Sequence, residues 1–212
     1  EDSIFPVDYL GTQYVVSAYN ADPSRRIFVI ADTDQTEVRV LGTLEATLMA
    51  GEVYSFQESQ AVTYLEATHP VYVYQNAGRI NCEMGLAFVP PLELNVRQTS
   101  NTAAFDVRGI GEANVVMETS QVQSLLVDGA ALAAPTVTEV PGQPQWSGVN
   151  FSLSNGFHEV QASADFQLGL ATGSGQQGGT GLFAYYALSN SSTCGDGNLD
   201  PREGCDDGGI VA

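Results

Sequence analysis

Residues 27–41, IFVIADTDQTEVRVL, decide the fold class. Ile27–Ala31 is rich in β-branched and aromatic side chains, and Glu37–Leu41 alternates, with Val38 and Val40 on one side and Glu37 and Arg39 on the other. A repeat of two is the period of a strand with one buried face. Between them, Asp32-Thr33-Asp34-Gln35 carries short polar side chains that bond back to their own backbone, the chemistry of a turn. Outward from this stretch the same pattern recurs in Thr12–Tyr19 (TQYVVSAY), Val53–Phe56, Val62–Leu65 and Val71–Gln75 (VYVYQ). Ala50-Gly51-Glu52 punctuates one pair of runs, and His69-Pro70 introduces VYVYQ. In the second half, Val127-Asp128-Gly129-Ala130 and Ser154-Asn155-Gly156-Phe157 read as hairpin turns, because Asn-Gly and Asp-Gly tolerate positive φ. The reading is therefore all-β: an antiparallel β-sandwich built as two packed sandwich units, followed by a short disulfide-closed tail. The units are 1–90, ending at Pro90-Pro91, and 91–188; the Ser/Thr linker and acidic tail occupy 189–212. TLMAGEVYSF with ATHPVYVYQ echoes SLSNGFHEV with ASADFQLGLA, which fits either a duplicated unit or two unrelated hairpins.

Charge narrows the partners. The chain has 25 acidic residues, seven arginines and no lysine, for a formal charge of −18. Such a surface repels nucleic acid and anionic lipid, and suits cations, basic proteins, or other copies when salt or divalent ions screen the repulsion. A solvated acidic surface that keeps the chain soluble fits equally. Apolar runs span four to seven residues, well short of the eighteen or so a membrane helix needs. The chain begins at Glu1, as a mature secreted protein would after its leader is removed.

Cys194 and Cys205 share one polar, Gly/Asp-rich segment, and a disulfide closing it would contribute roughly 3 kcal/mol in an oxidising compartment. Cys82 is then left as a buried free thiol or as a bridge to another chain. Within the tail, Asp196, Asn198, Asp200 and Asp207 stand at positions 1, 3, 5 and 12 of an oxygen-rich loop, with Glu203 and Asp206 in reserve. That is the spacing by which an EF-hand-type loop wraps Ca²⁺. Pro201 stands where that loop has glycine, so a calcium site and a solvated acidic turn both remain open.

Catalytic patterns are thin. The two histidines, His69 and His158, accompany no G-x-S-x-G elbow, and each reads as structural or surface-exposed. SGQQGGTG lacks the lysine of a phosphate loop, and three cysteines without C-x-x-C spacing make a poor zinc set. Asp32, Asp34 and Glu37 read as a hairpin turn whose carboxylates cap backbone N–H groups. Trp146, close after Pro144, and Tyr185-Tyr186 are aromatics that could stack on sugar. Asn150-Phe151-Ser152 and Asn190-Ser191-Ser192 have the glycosylation pattern.

GTQYVVSAY, RRIFVIADTDQTEVRV, TLMAGEVYSF and ATHPVYVYQ, followed by CEMGLAFVPPLE, LLVDGAAL and SNGFHEVQASADFQLGLATG, occur in the order found in a known family. Across most of residues 9–188 the chain resembles the IgGFc-binding-protein N-terminal domain and its bacterial surface relatives. The tail, CGDG then CDDG, resembles the Cys-rich repeat of myxobacterial and other large secreted proteins. The resemblance implies extracellular location, a β-sandwich-like architecture and a role in mucus, adhesion or a cell-surface layer. Relatives often carry a second cysteine after the Pro-Pro segment; LELNVRQTS has none, so the resemblance leaves Cys82 without its usual partner. The resulting expectation is a secreted, non-enzymatic structural or adhesive protein that associates with its own copies in a surface layer or filament. The alternative is a monomeric module that binds glycan or protein. Contact residues would be Ile4, Phe5, Val7 and Leu10 of the N-terminal arm, together with Trp146.

Overall fold

In the computed structural model, residues 7–18, 25–58, 60–77, 85–92, 101–173 and 183–187 are described, and antiparallel strands in three sheets account for nearly all of them. The first sheet is organised around one strand of 16 residues, Val62–Ala77 (β6). Gly11–Ser17 (β1) pairs with the beginning of β6 on one flank, and Gly85–Phe88 (β7) pairs with its end. On the opposite flank lie Thr36–Val40 (β3) and then Arg26–Ala31 (β2). Leu65 faces both Tyr14 and Val40, and Val71 faces both Gly11 and Ala31, so β2 and β3 run in line along one side of β6. Thr43–Leu48 (β4) extends the sheet beyond β3, and Val53–Gln57 (β5) extends it beyond β2.

Two sequence expectations change here. Asp32–Gln35 does not close a hairpin, because β2 and β3 pair with β6 and not with each other. It interrupts a single line of strand and is matched by a second interruption at Met49–Glu52. The two are tied together where Asp34 Oδ1 accepts the Ala50 N–H at 2.9 Å and the Ala31 carbonyl accepts the Gly51 N–H at 2.8 Å. The capping role foreseen for Asp34 is therefore real, but its partner lies in another loop. His69-Pro70 likewise does not begin a strand; it lies inside β6. The registers on both flanks stop at Ala67 or earlier and resume at Val71. Proline falls in that gap, where no ladder N–H is required.

The second half forms a two-sheet sandwich. One sheet orders Ala130–Ala131 (β11), Leu126–Val127 (β10), Gly156–Gln161 (β14) and Thr102–Val107 (β8). The other orders Thr136–Val140 (β12), Gln143–Leu153 (β13), Ile110–Glu118 (β9), Gln167–Gly173 (β15) and Phe183–Ala187 (β16). Asp128-Gly129 is the tight turn its sequence predicts: both residues have positive φ, and Val127 lies opposite Ala130. Asn155-Gly156 is not a hairpin. It carries the chain from β13 in one sheet to β14 in the other.

Alternation along the strands explains how the layers stack. Ala113, Val115 and Met117 of β9, with Val149, Phe151 and Leu153 of β13, face Phe105, Val107 and Val160 of the opposing sheet. Val116, on the reverse face of β9, packs with Val15, Val62 and Tyr64 of the first sheet, together with Leu92, Val140 and Trp146. The five-stranded sheet is thus covered on both faces. A third core, on the opposite face of the first sheet, gathers Tyr14, Ile27, Val29, Val38, Leu65, Val71 and Val73. The Pro90-Pro91 segment is held to the central sheet by Gln167, whose Nε2 donates to both carbonyls at 2.8 and 3.1 Å.

Candidate functional site

Cys82, Cys194 and Cys205, the six proposed calcium ligands Asp196, Asn198, Asp200, Glu203, Asp206 and Asp207, and the arm residues Ile4 and Phe5 lie outside the described residues. Of the remaining arm, Val7 opens a 3₁₀ turn and is 57% exposed, while Leu10 is half-buried and donates its N–H to the Val7 carbonyl at 3.0 Å. Trp146 is half-buried on β13 and packs on the apolar contact between the first sheet and the central one. Asn150 is half-buried in the same layer contact and accepts the Ser17 hydroxyl at 3.2 Å. Thr136 and Asn114 lie directly across from it on either side.

The first sheet presents an apolar outer edge. Because β4 pairs with β3 and β5 with β2, the two strands form the outer edge among the described residues, interrupted at Met49–Glu52. Leu44, Met49 and Val53 project from it at 47%, 43% and 56% exposure. An open strand edge offers unpaired N–H and C=O groups to any extended chain, and proteins normally blunt it with lysine, proline or a charge pointing outward. TLEATLMAGEVYSFQ contains no lysine, arginine or proline. Its two carboxylates are engaged locally: Glu45 accepts the Tyr54 hydroxyl at 3.2 Å, and Glu52 accepts the Met49 N–H at 2.8 Å.

A Ser, a His and an Asp also come together, which the sequence did not reveal. His158 is 7% exposed; its Nδ1 lies 2.8 Å from Asp128 Oδ2 and its Nε2 lies 2.9 Å from the Ser154 carbonyl, with the Ser154 hydroxyl at 3.5 Å. A carbonyl and a carboxylate both accept, so the site favours the doubly protonated imidazolium over the neutral ring. A nucleophilic triad needs a free Nε2 lone pair to take the serine proton, and here that position is spent on a carbonyl. Burial pulls the His158 pKa down, but the Asp128 hydrogen bond, the Ser154 carbonyl and the charges of Asp128 and Asp106 together raise it above 6.5. Asp128 is held below its usual range by the Glu159 N–H and then by His158. The cluster clamps the Asp128-Gly129 turn to the corner between the two sheets. A folded pKa raised above the unfolded one means that this stabilisation is complete below pH 6.5 and is lost as pH rises through the folded value. Replacing His158 with Asn is therefore expected to cost about 2 kcal/mol at pH 5.5, and clearly less at pH 8.5, in denaturant unfolding at both pH values. An equal cost at both would show that no imidazolium is involved.

Asp32, Asp34 and Glu37 do not converge: Asp34 caps Ala50, and Glu37 pairs with Arg39 at 2.9 Å. Among the described residues, no group of three or more His, Cys, Asp or Glu side chains is placed to hold a metal ion. No helix among them is long and apolar enough to cross a membrane.

The all-β stack of sheets fits the class that the family match defines, a binding or adhesion module. The model of the family described as IgGFc binding protein matches residues 1–171, and the chain belongs to that family. No curated protein and no solved structure matches it. The family is typically extracellular and its members are binding domains, which implies a protein or glycan partner.

Proposed function

We propose that the chain is a non-enzymatic, secreted structural and adhesive protein that associates with copies of itself in a surface layer or filament. The observation that carries this reading is the outer edge formed by β4 and β5, free of lysine and proline, with Leu44, Met49 and Val53 exposed along it. Pairing of that edge with an extended segment would satisfy its backbone groups and bury the three side chains together. The exposed Val7 marks the N-terminal arm, with Ile4 and Phe5 ahead of it, as the segment to dock there. A formal charge of −18 opposes contact between copies, so assembly would depend on salt or divalent ions. Ca²⁺ held by Asp196, Asn198, Asp200, Glu203, Asp206 and Asp207 is part of the same proposal, as are a Cys194–Cys205 disulfide and a Cys82 thiol free to bridge copies.

The test is electron microscopy and sedimentation of the purified chain across salt and calcium concentrations. Oligomers or filaments are expected at high salt or with calcium, and Leu44→Lys with Val53→Lys should return the protein to monomers at an unchanged melting temperature. Monomers of the parent under every condition would overturn the proposal.

A further inference from the structure

The outer edge of the first sheet has two segments, and the backbone of β5 is set to pair with a copy of itself. The Glu58 N–H donates to the Arg25 carbonyl at 3.0 Å, and the Ala31 N–H donates to the Glu52 carbonyl at 3.1 Å. These two bonds bracket an unbroken register between β5 and β2. Bonded and non-bonded pairs alternate along an antiparallel ladder. Tyr54 and Phe56 therefore turn their N–H and C=O groups inward to β2, while Val53, Ser55 and Gln57 turn theirs outward. Arg26 Nη2 donates to the Ser55 carbonyl at 3.3 Å and to its hydroxyl at 3.0 Å. Ser55 lies directly across from Phe28, two residues from Arg26, so all three side chains share one face. The guanidinium thus reaches the carbonyl from that face, and the second lone pair remains for a donor in the plane of the sheet.

The side chains match the backbone. Val53–Gln57, VYSFQ, is free of charge in a chain of formal charge −18, and an aromatic ring stands on either side of Ser55. A contact about a two-fold axis demands that symmetry, since residue i must meet j while j meets i. We infer that β5 pairs antiparallel with β5 of a second copy, Ser55 across from Ser55, so that one sheet runs through both copies. In this register the two Ser55 residues exchange both backbone bonds, and Val53 of each copy forms a bonded pair with Gln57 of the other. Tyr54 then falls in a non-bonded pair with Phe56 of the copy, where opposed side chains stand closest. Tyr54 and Phe56 are half-buried at the margin of the first-sheet core, with ring centres 5.7 Å apart within one copy. Pairing brings four such rings together over the side of that core and covers Val53, which is 56% exposed. At each end Glu52 comes across from Glu58 of the copy, but Glu58 is buried with its carboxylate on Gln75, and Glu52 accepts the Met49 N–H. The inference rests on the self-association proposed above and names its partner strand; the N-terminal arm is left with β4.

Mild oxidation and sedimentation of the full chain at high salt test it. Ser55→Cys is expected to give a covalent dimer joined at position 55, identified by peptide mass, because bonded antiparallel partners hold their Cα atoms about 5.5 Å apart. Val53→Cys, placed across from Gln57, is expected to add no cross-link to those formed by the parent's own three cysteines. Ser55→Pro removes an outward N–H and none that bonds β2. It should therefore melt close to the parent and associate about tenfold more weakly or worse. A Ser55→Cys chain that associates without this cross-link, or a folded Ser55→Pro chain that associates like the parent, would overturn the inference and leave self-association standing. If Ser55→Pro does not fold, the cross-link decides alone. A parent that stays monomeric under every condition overturns both.

Discussion

Between pH 4.5 and pH 8 the protein is expected to lose about 3 kcal/mol of folding stability through Glu58 alone. Glu58 is 3% exposed at the end of the first core. Its Oε2 accepts the Gln75 Nε2 at 2.9 Å, Gln75 also reaches the Ser17 carbonyl, and Oε1 has no hydrogen-bond partner. Burial pushes its pKa up to about 7, against smaller opposing contributions from Gln75 and Arg25. The folded value lies above the unfolded one, so Glu58 adds no penalty below pH 4.5, and the cost of charging it grows until pH passes 7. Glu58→Gln replaces the carboxyl with a neutral group of the same shape that still accepts from Gln75. It should flatten this part of the profile and leave the variant about 2 kcal/mol more stable than the parent at pH 8, the amide nitrogen inheriting the unpartnered position of Oε1. Urea unfolding at pH 4.5, 6 and 8 provides the measurement. Parallel profiles for parent and variant would mean that Glu58 is already ionised in the folded protein. His158 contributes in the same direction above pH 6.5, so the double variant Glu58→Gln, His158→Asn should show the flattest profile between pH 5 and pH 8.

Gly148→Val is expected to destabilise the chain by about 3 kcal/mol. Gly148 lies on the face of β13 that meets the first sheet. A Cβ there would stand 2.8 Å from Cγ2 of Val62 and 3.2 Å from the Ser17 hydroxyl. Val62 is 1% exposed and β-branched, so its stiff χ1 leaves it little freedom to withdraw. Gly148→Ala should cost less, about 1–2 kcal/mol, since the lost backbone freedom of the unfolded chain offsets part of the clash. Thermal and urea unfolding measure both, and the order Val worse than Ala is itself a requirement. If Gly148→Val unfolds at the parent midpoint, the central sheet does not press on the first sheet at this point.

Several features were legible because they are local. Alternation in Glu37–Leu41 and β-branched enrichment in VYVYQ announce strands without knowledge of their partners, since a half-buried pleated surface demands that pattern wherever it packs. Asp128-Gly129 announces a tight turn because few other dipeptides accept two positive φ angles in a row. The order of the blocks GTQYVVSAY to ATHPVYVYQ was enough to mark the family that the match over residues 1–171 establishes. Turn chemistry does not state which strands a turn connects, and here the local reading fell short. Asp32–Gln35 and Asn155-Gly156 carry the residues of hairpins, yet one interrupts a line of strand and the other crosses between sheets. Pro70 carries the signature of a strand boundary, but β6 runs through it because both neighbouring ladders change there.

The open edge was legible in part. TLEATLMAGEVYSF reads as strand, turn and strand, and its lack of lysine and proline is plain in the sequence. That it is an outer edge follows only from β4 and β5 pairing inward with β3 and β2. The His158 cluster was invisible for the same reason. Asp128 and Ser154 sit in two separately recognised turns, and only the pairing of β10 with β14 brings His158 between them.

What the sequence determined by itself is whatever a single strand or turn must satisfy alone: an all-β composition, the alternation that marks buried faces, a strongly acidic surface and membership of a family of binding domains. What the tertiary structure decided is every property that belongs to a pair of distant segments: the long β6 shared by four neighbours, the central sheet covered on both faces, the burial that raises the Glu58 pKa, and the row in which Gln13, Glu66 and Arg39 meet. The physical reason is range. Backbone torsions and side-chain periodicity are set within a few residues, whereas strand pairing, desolvation and clefts arise from contacts whose partners lie tens of residues apart, where no local pattern records them.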